Sequence, residues 1–363
     1  MKKSLLILLF TCWALFFAAF RPVMPFAAET AAFPDGTPVT GGRILMGTIG
    51  EPSNLIPYMA SDSASGEITG LLYVAPLKYD KDLNVVPWAA ASYEVLEGGR
   101  LLRFVLRDDI RWEDGVPLTA DDVEFTYKLM IDPKTPTAYS GDFLAIESFK
   151  KTGRLSFEVR YAKPFARSLM TWMGAILPKH VLEGQDIMTT PVARKPIGAG
   201  PYRLAKWDAG SMLTLTASDT YFEGRPNLDE VVYRIIPDPS TMFLELKAGK
   251  LDMMSLSPQQ YLRQTQGPQW ERDWRKYRYL SFSYTFLGFN LEHPFFKDVR
   301  VRRAISMAID RQSLIDGVLL GQGVPTVGPY KPGTWAYNDK LTPVRQDVDE
   351  ARRLLDEAGW KKN

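Results

Sequence analysis

Cysteine is all but missing from this chain: 363 residues carry a single one, Cys12. It sits inside an apolar N-terminal run, after Phe10-Thr11 and with more apolar chain behind it, which is not the placement of a lipid-attachment cysteine. The body therefore has no thiol, and disulfides, cysteine nucleophiles and cysteine metal ligands are excluded from it together. Histidine is nearly as scarce. His180 and His293 each stand beside a proline-containing turn, with no His-Glu-x-x-His helix and no cluster at zinc spacing. A lone loop histidine reads as a surface residue. No Gly-x-Ser-x-Gly elbow occurs, so serine hydrolysis lacks its local signature. Net charge is missing too. Residues 1–28 hold Lys2, Lys3 and Arg21 and no acid, and setting them aside takes the 44 bases to 41 against 42 acids. A balanced body argues against nucleic acid as a partner, which needs a basic face. The stretch Glu271-Arg272-Asp273-Trp274-Arg275-Lys276-Tyr277-Arg278 mixes bases with aromatics, but its interleaved acids make it a solvated edge.

Long apolar runs are absent except at the start. Lys2-Lys3 precede an uncharged stretch from Leu5 to Phe20 in which Thr11 is the one hydrophilic side chain; Arg21, Pro22 and Pro25 break it, and small residues follow at Ala27-Ala28 and Ala31-Ala32. A basic start, a short apolar core and a small-residue exit describe a secretory signal peptide, assigned to residues 1–28. The run is shorter than the ~20 residues that span a bilayer comfortably. An uncleaved N-terminal membrane anchor is the alternative. Residues 29–42, rich in Ala, Thr, Pro and Gly, read as a flexible leader.

What the chain does have is apolar and aromatic weight. Apolar residues make up 45% and aromatics 12%, with nine Trp and sixteen Tyr, enough for large cores and a cleft lined by stacking surfaces. Arg43–Ile49 predicts a first strand, and Tyr79-Asp80-Lys81-Asp82 a hairpin turn before Val85-Val86-Pro87. Strands are expected at 101–106, 154–159, 202–207, 212–217 and 231–236, and again from Leu251 to Met254. Thr119 is placed to cap a helix ending near Asp132-Pro133, and Ser240 to open a short one through Leu246. After Asp298 the pattern turns helical: Asp298, Asp310 and Asp347 each precede an amphipathic stretch. Strands and helices alternate irregularly, which gives a mixed α/β chain and not a repeat array.

Chemical motifs come apart on inspection. Asp80-Lys81-Asp82-Leu83-Asn84 starts like a calcium loop, but Val85 stands where glycine is needed and Ala91 where a carboxylate is needed. Gly321-Gln322-Gly323 follows a helix, whereas a phosphate loop needs a strand before it. The acid pairs Glu113-Asp114 and Asp121-Asp122 flank a turn and open a helix, where the helix dipole favours them. No catalytic residues, metal site or cofactor are assigned, which points to binding without catalysis.

Four stretches carry a resemblance. They are Gly50-Glu51-Pro52-Ser53-Asn54-Leu55-Ile56-Pro57; Phe104-Val105-Leu106-Arg107 through Trp112-Glu113-Asp114-Gly115 to Thr119-Ala120-Asp121-Asp122-Val123-Glu124-Phe125-Thr126-Tyr127; Ile197-Gly198-Ala199-Gly200-Pro201-Tyr202 with Trp207, Tyr221 and Gly224; and Leu287-Gly288-Phe289-Asn290, then Pro294-Phe295-Phe296-Lys297-Asp298-Val299-Arg300-Val301-Arg302 on to Ala308-Ile309-Asp310-Arg311. In that order they resemble the family 5 extracellular solute-binding proteins, the group of oligopeptide-, dipeptide- and nickel-binding proteins. Ala199 stands where threonine is commoner. The turn and cap residues among them are folding signals that identify the family without touching ligand.

The resemblance implies an α/β, two-lobed type II periplasmic binding protein fold with an inserted extra subdomain. Residues 43–80 and 196–279 would form the core of lobe I, 81–195 the inserted subdomain, 280–290 the hinge crossover and 291–363 a partial lobe II. The family continues past Asn363, so the second lobe is expected to be incomplete and ligand binding by this chain weak or absent. Matching cleft-lining segments places Ser61, Asp62 and Ser63 near ligand backbone, with Tyr139, Met254, Ser255, Tyr284 and Phe286 also facing the cleft; for each, ordinary loop or core packing is the alternative. The implied function is that of a substrate-binding subunit of an ABC importer. It would be a periplasmic monomer that takes peptides, or another small solute, to membrane permease subunits driven by a cytoplasmic ATPase. A nickel chelate or sugar as ligand, a sensory role feeding a chemoreceptor, and more remotely a secreted hydrolase are the alternatives.

Overall fold

Strict alternation in Met212-Leu-Thr-Leu-Thr-Ala puts Leu213, Leu215 and Ala217 on one face, and all three are buried. That strand (β9, Met212–Ala217) is central to a four-stranded sheet of order β1-β10-β9-β8, with β1 Arg43–Thr48, β8 Tyr202–Asp208 and β10 Glu230–Ile235. β9 runs antiparallel to both neighbours, while β1 lies parallel to β10. These elements come from a computed structural model that describes residues 38–361. The signal-like segment and Cys12 lie outside the described residues, and no helix among those described is long and apolar enough to cross a membrane.

A second sheet, of order β4-β5-β7-β6, is wholly antiparallel: β4 Ala90–Leu96, β5 Leu101–Leu106, β6 Ile146–Lys151 and β7 Ser156–Tyr161. Leu102, Phe104 and Leu106 point inward from β5. The Phe104 ring stacks on Phe157 at 4.7 Å, and Phe157 on Phe149 at 5.3 Å. On the outer face Arg103 pairs with Glu94 and Glu158 on the two flanking strands. The inner faces of both sheets feed one continuous apolar core that also takes Leu55, Ile56 and Trp172.

Caps begin and end the helices as the side chains dictate. Thr119 and Asp122 form a capping box at the start of helix Ala120–Ile131. Asp122 is only 5% exposed, and its second oxygen accepts the Lys179 amide at 2.9 Å. Burial pushes its carboxyl above the ordinary aspartate range, against the hydrogen bonds from the Thr119 and Lys179 amides. Helix Pro239–Lys247 is capped two residues earlier than Ser240 would place it: Asp238 caps it by accepting from the Thr241 amide, and Pro239 takes the first position, where its missing N–H costs nothing. The strand expected from Leu251 to Met254 is reduced to a parallel bridge between Met46 and Met253. There the Leu45 amide bonds the Asp252 carboxylate at 2.8 Å instead of a backbone carbonyl, which interrupts the ladder. In the hairpin between β2 (Leu77–Tyr79) and β3 (Val85–Pro87), Asp80 accepts from the Asp82 and Asn84 amides, so its carboxylate is spent on the turn.

The chain divides into two compact units, one spanning Thr37–Ser255 and the other containing the residues from Leu256 onward. Both sheets belong to the first. The second is helical among its described residues. Val301 and Ala304 of helix Val299–Ala308 are buried, as is Ala351 of helix Val348–Glu357, and the Arg300 guanidinium bonds the Glu357 carbonyl at 2.7 Å. Asp298, Asp310 and Asp347 cap helices as their positions predict.

Candidate functional site

The candidate site grows from the loop that leaves β1. Beyond Thr48 the chain passes Gly50-Glu51-Pro52, where Glu51 accepts from the Trp207 indole at 2.8 Å and from the Gly210 amide at 3.1 Å. Arg194 lies over the Trp207 ring at 3.9 Å. Leu55 and Ile56 then enter the core with no exposed surface. Asn54 folds back to accept the Ile56 amide at 2.7 Å, and Ser65 Oγ accepts the Ser53 amide at 3.0 Å. The loop is thus stitched to the first turn of helix Ser63–Leu72.

Asp62 is the N-cap of that helix. Its Oδ1 accepts the Ser65 amide at 2.7 Å, and its Oδ2 accepts the Ser65 and Ser53 hydroxyls at 2.8 and 2.6 Å. Partial burial would raise its pKa, but those hydrogen bonds outweigh it and hold the carboxyl below the ordinary aspartate range. The carboxylate expected to meet ligand is therefore engaged in fixing the loop. Ser61 and Ser63, on either side of it, are exposed.

The other end of the helix is fixed as firmly. A Cβ on Gly198 would lie 2.0 Å from the Leu72 carbonyl oxygen, and one on Gly200 would lie 2.5 Å from that of Leu71. Only glycine permits this approach, through which the Gly200 amide bonds Leu72 O at 2.8 Å. Glu113 and Gly198 exchange two hydrogen bonds, tying the Glu113-Asp114-Gly115 turn to the same point. Burial raises the Glu113 carboxyl despite the Gly198 amide it accepts.

Tyr139, far along the chain, comes to the same loop. Its hydroxyl approaches the Ala60 carbonyl at 3.5 Å, and Thr137 Oγ1 donates to the Tyr58 carbonyl at 2.8 Å. The Tyr139 ring is 45% exposed and meets the Tyr58 ring edge-on at 6.2 Å. Ser61, Asp62, Ser63 and Tyr139 thus share one surface. Met254 and Ser255 follow the bridge beside β1, at the carboxyl end of the parallel edge formed with β10, with Met254 half-buried and Ser255 exposed. Tyr284 and Phe286 belong to the second unit, where their rings lie 5.5 Å apart and are 47% and 72% exposed. Sequence reasoning missed Tyr58, Thr137 and the Ser53–Ser65 pair. Pro57 before Tyr58 was the one local signal of a constrained turn there.

Among the described residues no group of three or more His, Cys, Asp and Glu is placed to hold a metal ion. His180 Nε2 lies 2.7 Å from Asp114 Oδ2, and His293 Nδ1 accepts the Phe295 amide at a helix start.

The model of bacterial extracellular solute-binding proteins, family 5, matches residues 84–363. The chain belongs to this family. Its members bind solutes and are not enzymes. The chain is 32% identical over 334 residues to the oligopeptide-binding protein AppA of Bacillus subtilis, covering 90% of this chain and 61% of that protein. It is 28% identical to the dipeptide-binding protein of Escherichia coli, over 77% of this chain and 56% of that one. Among solved structures, AppA in complex with a nonapeptide superposes with a TM-score of 0.80 at 31% identity, over 90% of this chain and 66% of the other. NikZ of Campylobacter jejuni in complex with Ni(L-His) gives 0.79 at 27%, over 88% and 64%. The fold is that of the type II periplasmic binding proteins. The chain spans about three-fifths of the length of the curated relatives it matches.

Proposed function

We propose that this solute-binding chain captures peptides in the periplasm and delivers them, unaltered, to the permease subunits of an ABC importer. The observation that carries the reading is the 32% identity to oligopeptide-binding AppA over 90% of this chain. Residues 1–28 act as the export signal and 29–42 as a leader. Residues 43–80 and 196–279 are the core of lobe I, with 81–195 as its inserted subdomain; 280–290 are the crossover and 291–363 belong to lobe II. Ligand meets the exposed Ser61 and Ser63 hydroxyls and the Tyr139 ring, with Met254 and Ser255 at the neighbouring sheet end and Tyr284 and Phe286 from the crossover.

The physical logic is that of extended-peptide recognition. Main-chain hydrogen bonds supply affinity common to all sequences, and wet, tolerant pockets accept varied side chains. Closure of two lobes couples ligand to a conformational equilibrium, and the closed form is what the permease receives. Micromolar capture requires about −8 kcal/mol. A metal chelate is the second reading, favoured by the likeness to NikZ with its bound nickel–histidine. Equilibrium dialysis of the chain against a random peptide mixture and against nickel–histidine, each up to millimolar, followed by mass spectrometry, tests both. Enrichment of intact peptides is expected. Retention of the chelate but of no peptide, or the appearance of cleavage products, overturns the proposal.

A further inference from the structure

The loop that presents Ser61 to Ser63 contains a turn built with an unsuitable residue. The Met59 amide closes it on the Ile56 carbonyl at 3.2 Å, with Pro57 and Tyr58 at its centre and Tyr58 at φ 72°. Proline first and a positive φ second is the pattern of a type II turn, whose second central position favours glycine or asparagine. A bulky residue stays in that region only where its surroundings hold it there. The surroundings are explicit. The Tyr58 hydroxyl donates to the Ala175 carbonyl at 2.8 Å, its carbonyl accepts from Thr137 Oγ1 at 2.8 Å, and its ring meets Tyr139 and Phe143 edge-on at 6.2 and 6.0 Å. The hydroxyl fits because residue 174 is glycine: a Cβ there would lie 2.2 Å from the Tyr58 oxygen.

We infer that Tyr58, seated over Gly174, is the positioning residue of this surface, fixing the loop Pro57–Ser63 and the segment Thr137–Phe143 in the relative placement that leaves Tyr139 facing solvent. Three chain segments with no local reason to meet are pinned by one ring, so ligand does not have to order them on binding. For what the surface presents, the inference rests on the peptide-capture reading. The pinning itself does not.

Hydrogen exchange on the full chain, read by mass spectrometry, tests it with Gly174→Ala, Tyr58→Gly and the double variant Gly174→Ala/Tyr58→Phe. In Gly174→Ala the added methyl expels the hydroxyl. Exchange in 57–63 and 137–143 is expected to rise well beyond tenfold, the scale of one lost hydrogen bond, because the ring leaves its seat together with the hydroxyl, while β5 keeps its protection and peptide capture weakens. In the double variant the oxygen is gone and the nearest ring carbon stands 3.0 Å from the methyl, a contact that a small shift absorbs, so the ring reseats and exchange falls back to about the tenfold rise of the one missing hydrogen bond. Tyr58→Gly suits the turn but loses the ring and its hydroxyl bond: the melting temperature falls and 137–143 loosens. Unchanged exchange in Gly174→Ala, a rise that extends equally to β5, or no rescue in the double variant overturns the inference. Absence of peptide binding by the unmodified chain would instead count against the peptide reading, leaving the exchange comparison to decide the role of Tyr58.

Discussion

Replacing Asp62 separates two roles that a carboxylate at this position could have. Asp62→Ala removes the cap from helix Ser63–Leu72 together with the acceptor for the Ser53 and Ser65 hydroxyls. Loss of an N-cap costs ~0.5–2 kcal/mol, and the hydroxyl bonds from exposed Ser53 and buried Ser65 add at least ~0.5 kcal/mol each. The expected loss is about 1.5–3 kcal/mol, or roughly 3–12 °C in the melting temperature of a unit of this size. Asparagine is as good a cap as aspartate, so Asp62→Asn is expected to recover most of that loss. The pH dependence follows from the depressed carboxyl. Its stabilisation is present above the ordinary aspartate value of 3.8 and is lost as pH falls through the lower folded value. Asp62→Asn flattens the stability profile in that acid range and nowhere else. Circular-dichroism melts from pH 2 to 7 and peptide dialysis at pH 7 are the assays. If Asp62→Asn melts like the unmodified chain yet loses peptide capture more than about tenfold, Asp62 is a charged ligand contact and the capping argument for it is refuted.

Asp122→Ala leaves the Thr119 and Lys179 amides without their acceptor in a buried setting. At ~1–3 kcal/mol for each orphaned donor, a loss of about 2–6 kcal/mol is expected in denaturant titration, against a smaller loss for Asp122→Asn; equal losses would contradict the two-amide account. Glu113 has the opposite pH sign from Asp62. Burial raises its folded pKa above the ordinary 4.5, so its favourable contribution is complete below that value and is lost as pH rises through the folded one. Glu113→Gln removes this dependence, and melts compared from pH 4 upward should diverge from those of the unmodified chain in that window. Parallel curves would remove Glu113 as the source.

Much of the fold was legible because its signals are local. The alternation of Met212–Ala217 gives a strand with one buried face, and Thr119, Asp298, Asp310 and Asp347 cap helices whose first-turn amides lie within three residues. The misplaced helix start shows the limit of the same reasoning. Ser240 is a good capping residue by type, but Pro239 before it had already claimed the first helical position for a cap at Asp238. Leu251–Met254 has the composition of a strand, and what stopped it becoming one was a side chain, Asp252, taking the Leu45 amide.

The sequence by itself determined the kind of protein: a cysteine-free, charge-balanced body, caps and alternations in a mixed α/β order, and motifs that carry a solute-binding family. Only the tertiary structure decided which polar groups are committed and which face outward. Asp62 and Ser61 look alike as candidates in a string of letters, and the difference lies in Ser53 and Ser65 reaching the carboxylate. Tyr139 stood out by resemblance and Tyr58 did not, and only the fold showed Gly174, Ala175 and Thr137 meeting Tyr58 while Tyr139 stays exposed. A cap is settled within one helical turn, whereas a surface is settled by contacts between segments remote in the chain, whose pairing depends on the whole core.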